Sequence, residues 1–233
     1  MSLVSIIIPT VSLSSDRLRR CLASIDANTP ERHVVRVFTD CERRGFASTV
    51  NRGLQTSGAA DYYCVLNDDT EVSPGWLGKM LSVLDYYPGV GLVGPMSDNV
   101  SGSQQGVCAD GPVSIEVSRL VGFCLLIRRS VVDKIGGFDE AFTSGMFTDD
   151  DYCLRARAAG FKCRIARDSF VHHEAGATYQ EVGLDYGKAM QEGWQVFSAK
   201  WGATMTGPAS YRVDLPEWSK ERCYAPLSEE AAA

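Results

Sequence analysis

Three short segments concentrate residues capable of chemistry: Asn67-Asp68-Asp69-Thr70, Thr148-Asp149-Asp150-Asp151-Tyr152 and His172-His173. The adjacent carboxylates of Asp68 and Asp69 repel one another and cost stability unless they are exposed or neutralised. Hard oxygen ligands of this kind suit Mg2+ or Mn2+, with most of the coordination shell left to phosphates and water. The same four residues also make an ordinary solvated acidic turn. The acids at 149–151 stand at the start of a helical pattern, where the helix dipole favours negative charge. One of them can cap the helix, and the others diverge at about 100° per residue. They form either an over-acidic cap or a site where a carboxylate takes a proton from a hydroxyl. Neighbouring strand residues face opposite sides, so only one of His172 and His173 can reach a given site. Two of the chain's three histidines stand here, and an imidazole could complete a metal shell begun by Asp69.

Composition limits what these segments can serve. The chain has 233 residues, 45% hydrophobic and 22% charged, with a net charge of −6. That length suits one α/β domain with a full core. The negative balance argues against a nucleic-acid backbone or an anionic membrane as the main partner. It does not exclude a nucleotide, whose phosphates a metal can neutralise locally. No apolar run reaches the roughly 20 residues of a membrane helix, and the first residues have no basic or apolar signal region. A cytoplasmic protein is therefore expected, at most peripheral at the inner membrane face. Eight cysteines occur without a C-x-x-C pair, and Cys64, Cys124 and Cys163 read as buried free thiols. No Walker loop, H-E-x-x-H or G-x-S-x-G motif occurs.

The elements that must position the three segments follow from hydrophobic periodicity. Strands are expected at residues 4–8, 34–38, 61–66 and 90–93. Helices are expected after Ser14 or Ser15, over 46–54 and from Pro74, with Leu77, Met80, Leu81 and Leu84 on an apolar side. This alternation predicts a parallel, doubly wound sheet with ligands beyond the carboxyl ends of its strands. Asp40 and Asp68–Asp69 lie at such ends. Residues 97–112 read as a long loop. A strand over 121–127, a short helix over 131–135 and a helix over 149–159 follow. Short strands at 162–166 and 170–173 and a last helix over 181–201 complete the chain. The expected organisation is one domain, with a nucleotide-binding half to about 95, an acceptor and catalytic half over about 96–180, and a C-terminal helix and tail over 181–233.

The order of several motifs resembles the family 2 glycosyltransferases of the GT-A fold, especially their rhamnosyltransferase-like branch. The matching pieces are V-S-I-I-I-P-T at 4–10, G-F-A-S-T-V-N-R-G-L at 45–54, Y-C-V-L-N-D-D-T at 63–70 with P-G-W-L at 74–77, and G-P-M-S-D-N at 94–99. They continue with G-F-C-L-L-I-R-R at 122–129, G-G-F-D-E-A-F at 136–142, D-D-D-Y-C-L-R-A-R-A-A-G-F at 149–161 and F-V-H-H at 170–173. The resemblance implies a Rossmann-like, three-layer α/β/α fold with a mostly parallel central sheet. It implies inverting transfer of a hexosyl or deoxyhexosyl group from a UDP-, dTDP- or GDP-sugar to a glycan, lipid-linked or protein acceptor, with Mn2+ or Mg2+ as cofactor. Asn67-Asp68-Asp69 falls at the family's D-x-D motif, so Asp69 would hold the metal and Asp68 or Asn67 the nucleotide side. Pro9, Thr10 and Asp40 fall where the family contacts base and ribose, and Asn51 joins the nucleotide-sugar set. Asp149 aligns with the catalytic base. Thr148 replaces the acid that usually precedes it, and a one-residue slip would make Asp150 the base. One of His172 and His173 would ligate the metal, His173 by preference. A competing expectation is an inactive GT-A module that binds a glycan or a protein.

Overall fold

The computed structural model describes residues 2–40, 42–58, 60–106, 113–176, 181, 183, 185–207 and 210–227. Strand β1 (Val4–Thr10) shows how the architecture follows from side-chain alternation. Ile6 and Ile8 enter one hydrophobic core and Ile7 the other, because successive strand residues point to opposite faces. The first core is closed by helices α1 (Asp16–Asn28) and α3 (Trp76–Tyr86). The second is closed by α2 (Phe46–Thr56), α4 (Arg129–Ile135) and α5 (Thr148–Ala158). The result is the expected three-layer α/β/α arrangement.

The central sheet has eight strands. β2 (His33–Thr39), β1, β3 (Tyr62–Leu66), β7 (Cys124–Arg128), β5 (Val90–Met96), β8 (Lys162–His173) and β4 (Thr70–Val72) follow in spatial order, and β6 (Ser114–Val117) pairs with β8. Strands β2, β1, β3, β5 and β8 run one way, and β7, β6 and β4 run the other. The sheet is thus mostly parallel, with β7 inserted antiparallel between β3 and β5. The carboxyl ends of β1, β2 and β3 share one edge, where Thr10, Asp40 and Asn67 stand.

Several elements differ from the sequence expectation for identifiable reasons. β7 begins at Cys124, not at 121, because Gly122 and Phe123 form a turn. The strands expected at 162–166 and 170–173 are one strand, β8. Its pairing with β5 jumps from Ala166 to Phe170, so an irregularity absorbs the polar residues 167–169. Buried Ser169 within it donates to the Trp76 carbonyl at 2.9 Å. β4 and β6 are short, polar-containing strands without a strong apolar pattern, and they form because β8 offers two edges. The last long helix, α6 (Tyr186–Trp201), starts later than position 181, with Asp185 as its N-cap accepting from the Lys188 N–H. A hairpin of β9 (Thr204–Gly207) and β10 (Ser210–Arg212) and a short helix α7 (Lys220–Cys223) follow it.

The N-cap of α1 is Ser15, whose hydroxyl accepts from the Leu18 N–H at 3.3 Å. Such a cap contributes about 1 kcal/mol. Of the long loop expected at 97–112, the described part is pinned by a bridge between Ser97 and Gln105, and 107–112 lie outside the described residues. Cys64, Cys124 and Cys163 are buried and free; Cys41 and Cys108 lie outside the described residues. Among the described residues no helix is long and apolar enough to cross a membrane.

Candidate active site

The Asp68 and Asp69 side chains diverge after β3. Asp68 accepts from the Thr10 hydroxyl at 2.5 Å and from Arg17 Nε at 3.2 Å. Burial pushes its carboxyl above the usual carboxylate range, against the Thr10 hydrogen bond and the Arg17 charge. Asp69 lies instead 3.3 Å through Oδ1 from His173 Nε2. The antiparallel pairing of β4 and β8 makes this contact across more than a hundred residues of chain. Thr70 stands opposite His173, and the Glu174 N–H donates to the Asp69 carbonyl at 2.8 Å.

The two histidines separate as strand alternation requires. His173 is buried, and its ring stacks on Phe123 with centroids 5.0 Å apart. Its Nδ1 contacts the Asn99 carbonyl at 3.1 Å. A carbonyl only accepts, so Nδ1 carries a proton and orients the ring. Nε2 then faces Asp69 either as an N–H or as a lone pair. His172 turns outward, its Nδ1 2.5 Å from Asp98 Oδ2. Burial works to raise the Asp98 carboxyl, but hydrogen bonds from His172 and from the His173 N–H hold it below its usual value.

The three acids of α5 take three different environments. Asp149 Oδ2 accepts from the Gly122 N–H at 2.7 Å. Asp150 is held by Arg119 Nη1 at 3.3 Å and by the Tyr211 hydroxyl. Asp151 is fully buried, paired with Arg155 Nε at 2.7 Å, Lys200 Nζ at 2.7 Å and Trp201 Nε1 at 2.9 Å. Burial, then repulsion from Asp150, pushes the Asp149 carboxyl up to about 7. Burial also raises Asp150, against its Tyr211 and Arg119 partners. Phe147, immediately before the helix, has a left-handed backbone (φ 64°). That conformation is unfavourable for a bulky residue, and stacking of its ring on Phe197, with centroids 5.4 Å apart, anchors it.

The turn at Gly122-Phe123 brings the groups together. Its Gly122 N–H holds Asp149, its Phe123 carbonyl accepts the Asn67 N–H at 2.8 Å, and its Phe123 ring carries His173. Gly122 permits the close approach: a Cβ there would stand 3.1 Å from Asp149 Cβ. Two acceptor oxygens, Asn67 Oδ1 and Asp69 Oδ1, are buried without a hydrogen-bond partner. Orphaned buried acceptors are rare and call for a donor or a cation. With the imidazole facing Asp69, they fit a divalent metal. Among the described residues no group of three or more His, Cys, Asp or Glu side chains could enclose a metal.

Other residues of the expected site sit differently. Thr10 is adjacent to Asp40 through the Asp40 N–H, which donates to the Thr10 carbonyl at 3.2 Å, and Pro9 precedes it in β1. The Asp40 carboxylate closes the turn before α2, accepting from the N–H groups of Arg44 and Gly45 at 2.8 and 2.9 Å. Asn51 lies elsewhere, against the turn that follows α4. It is buried, donates to the Phe138 carbonyl at 2.8 Å and to Glu140 at 3.0 Å, and accepts from the Phe138 N–H at 2.7 Å. With both amide hydrogens and its carbonyl engaged, it staples α2 to the Gly136–Glu140 turn. Arg17 and Asp98 were missed as partners of the site. Arg17 belongs to no motif and stands second in helix α1, so only the folded chain reveals it. Asp98 stands in the S-D-N piece at 97–99, whose pairing with β8 no local pattern announces.

Comparisons with known proteins bear on the sequence and the fold. The sequence model of the family described as Glycosyl transferase family 2 matches residues 14–104. The chain is 30% identical over 173 residues to "Uncharacterized protein y4gI" of Sinorhizobium fredii, covering 63% of this chain and 19% of that protein. It is 23% identical over 185 residues to the N-acetylglucosaminyl-diphospho-decaprenol L-rhamnosyltransferase of Mycobacterium tuberculosis, covering 62% of this chain and 60% of the relative. The chain therefore spans only part of the length of these curated relatives. Among solved structures it superposes on GalNAc-T7 with UDP, GalNAc and Mn2+ at a TM-score of 0.63 and 13% identity, over 74% of this chain and 44% of the other. It superposes on the catalytic domain of Drosophila beta1,4galactosyltransferase 7 with xylobiose at 0.53 and 19%, over 71% and 65%. The chain thus has the GT-A fold, and its residues 14–104 match the sequence model of Glycosyl transferase family 2, the family that its motifs resemble.

Proposed function

We propose that this domain transfers a single sugar from a nucleoside-diphosphate donor to an acceptor hydroxyl, with inversion and with help from a divalent metal. The observation that carries the reading is the Gly122-Phe123 turn, which gathers Asp149, Asn67 and His173 from three distant parts of the chain. Asp69 and His173 would hold the metal, with diphosphate oxygens and water filling the remaining positions. When bound, the ion offsets the charge that grows on the departing diphosphate. Asp68, fixed by Thr10 and Arg17, would define the nucleotide side. Asp149 accepts the proton as the acceptor O–H breaks and its oxygen attacks the anomeric carbon, opposite the departing diphosphate. The Gly122 N–H orients the carboxylate for that transfer. The rhamnosyltransferase relative, named for a diphospho-decaprenol substrate, supports a lipid-linked acceptor and a deoxyhexosyl group.

Thermal stability in the presence of UDP, dTDP or GDP tests the donor site. One of these with Mn2+ is expected to stabilise the chain, by about 2.7 kcal/mol at a hundredfold excess over its dissociation constant. Asp69→Ala should remove the metal-dependent part. A chain that no nucleoside diphosphate stabilises, with or without Mn2+ or Mg2+, would be a binding relic and not a transferase.

The rate should also report Asp149. Its carboxyl is raised from 3.8 to about 7, and only the ionised form can take a proton. kcat/KM is therefore expected to climb with pH and level off above about 7, since it follows the free enzyme's base. Stability moves oppositely. A raised carboxyl stabilises the fold most below its unfolded value of 3.8, and that contribution disappears as pH rises through about 7. A rate already flat from pH 5 upward would show that the base is a carboxyl without this raised value, and the Asp149→Asn variant would then decide whether it is Asp149.

A further inference from the structure

We infer that a second site, a cavity between α5 and the β9–β10 hairpin, binds a phosphate group carried by the acceptor. The word acceptor rests on the transferase reading; the phosphate chemistry does not. The cavity has a volume of about 350 Å3 and a floor of Leu154 and Phe197. Arg119, Arg157 and Arg212 line it, opposed by the single carboxylate of Asp150. In a chain of net charge −6, this is a local concentration of positive charge.

The three guanidinium groups are incompletely matched. Arg119 has its contact with Asp150 at 3.3 Å and stands over the Tyr211 ring, 5.2 Å from its centroid. Arg157 donates to the Ser118 carbonyl at 3.4 Å and has no ion pair among the described residues. Arg212 lies 4.0 Å from Asp214, and both are well exposed. A guanidinium fork matches the oxygen spacing of phosphate and binds it in two-pronged fashion, and the Arg157 fork has only a carbonyl as its partner. Against the carboxylates of Asp150 and Asp214, the three cations leave one positive charge in excess, and Arg157 is the cation without a carboxylate partner among the described residues.

Position argues for the acceptor over the donor. None of Asp68, Asp69 and His173 lines this cavity, whereas Asp150 does, and Asp149 immediately precedes it in the first turn of α5. A phosphate held by the arginines would leave the sugar attached to it to reach past the start of α5, from the Asp150 side toward the Asp149 carboxylate at Gly122. Asp150 is then a positioning residue, fixing Arg119 and Tyr211 at the cavity wall.

Calorimetry with inorganic pyrophosphate and with geranyl pyrophosphate, in metal-free Asp69→Ala protein, tests this apart from the donor cluster. Both probes are expected to bind, and Arg157→Glu/Arg212→Glu should weaken them about tenfold or more. Arg119→Lys, which keeps the charge and loses the fork, should weaken them several-fold at an unchanged melting temperature. Tighter binding of geranyl pyrophosphate would assign a lipid-borne phosphate, and equal binding a soluble phosphate ester; either supports the site. No binding, or binding that the charge reversals leave unaltered, overturns it. Nucleoside-diphosphate stabilisation of the unmodified chain is measured alongside. Its absence would refute the transferase reading and leave the phosphate site standing; its presence without pyrophosphate binding would refute the phosphate site alone.

Discussion

Replacing Asp149 with Asn is expected to slow sugar transfer by about 10²–10⁴-fold, the usual loss when a general base is removed. The effect should fall on kcat, with donor binding unchanged. Asn keeps the shape and can still accept from the Gly122 N–H, which Asp149 now holds at 2.7 Å, so the turn survives and only proton acceptance is lost. Asp150→Asn is the discriminating control. Its carboxylate is already engaged by Arg119 and Tyr211, so its loss should act on acceptor use and cost less in kcat. Steady-state kinetics of both variants check the assignment. Near-normal turnover by Asp149→Asn, or a larger kcat loss in Asp150→Asn, would transfer the role to Asp150 or to another group.

The largest stability effect is expected at Asp151. Its carboxylate is inaccessible and meets Arg155, Lys200 and Trp201 within hydrogen-bonding distance. Arg155 is equally buried and also donates to the carbonyls of Ile135 and Gly137 at 3.0 and 2.8 Å. One buried ion pair therefore joins α5, α6 and the Gly136-Gly137 turn. Asp151→Ala leaves the Arg155 charge uncompensated, which costs about 3–5 kcal/mol. For a domain of this size that is a fall of roughly 10 °C in melting temperature. Replacing both partners by apolar residues of similar volume, Asp151→Leu with Arg155→Met, should recover part of the loss, because no lone charge remains. Thermal or urea unfolding decides it; a single-variant cost below about 1 kcal/mol would show that Lys200 and Asp139, 2.6 Å apart, carry the junction without Asp151.

These two acids, two residues apart, show where local reading stops. The run 149–151 announces a helix start and a concentration of charge, because three carboxylates are stable together only where a dipole or a partner offsets them. Nothing local says which acid faces the site, which the hairpin and which the core. That depends on how the helix is rotated about its axis, and Phe197, Trp201 and Tyr211, far along the chain, set the rotation.

The alternating strands and helices of the first 96 residues were legible because burial on two faces writes a period into the chain: Ile6 and Ile8 against Ile7 in β1, Leu18, Cys21 and Ile25 in α1. The strand end at Asn67-Asp68-Asp69 was legible for the same reason, and so was the separation of His172 from His173, which alternation alone requires. The antiparallel insertion of β7, the continuity of β8, the weak strands β4 and β6 and the partners of Asn51 were not. Each is fixed by hydrogen bonds between segments tens of residues apart, which leave no periodic trace in either segment. The sequence by itself thus determined the layers, the positions where acids gather and the opposite facing of the two histidines. The tertiary structure decided which atoms meet, because only folding sets the Gly122-Phe123 turn beside all three clusters at once.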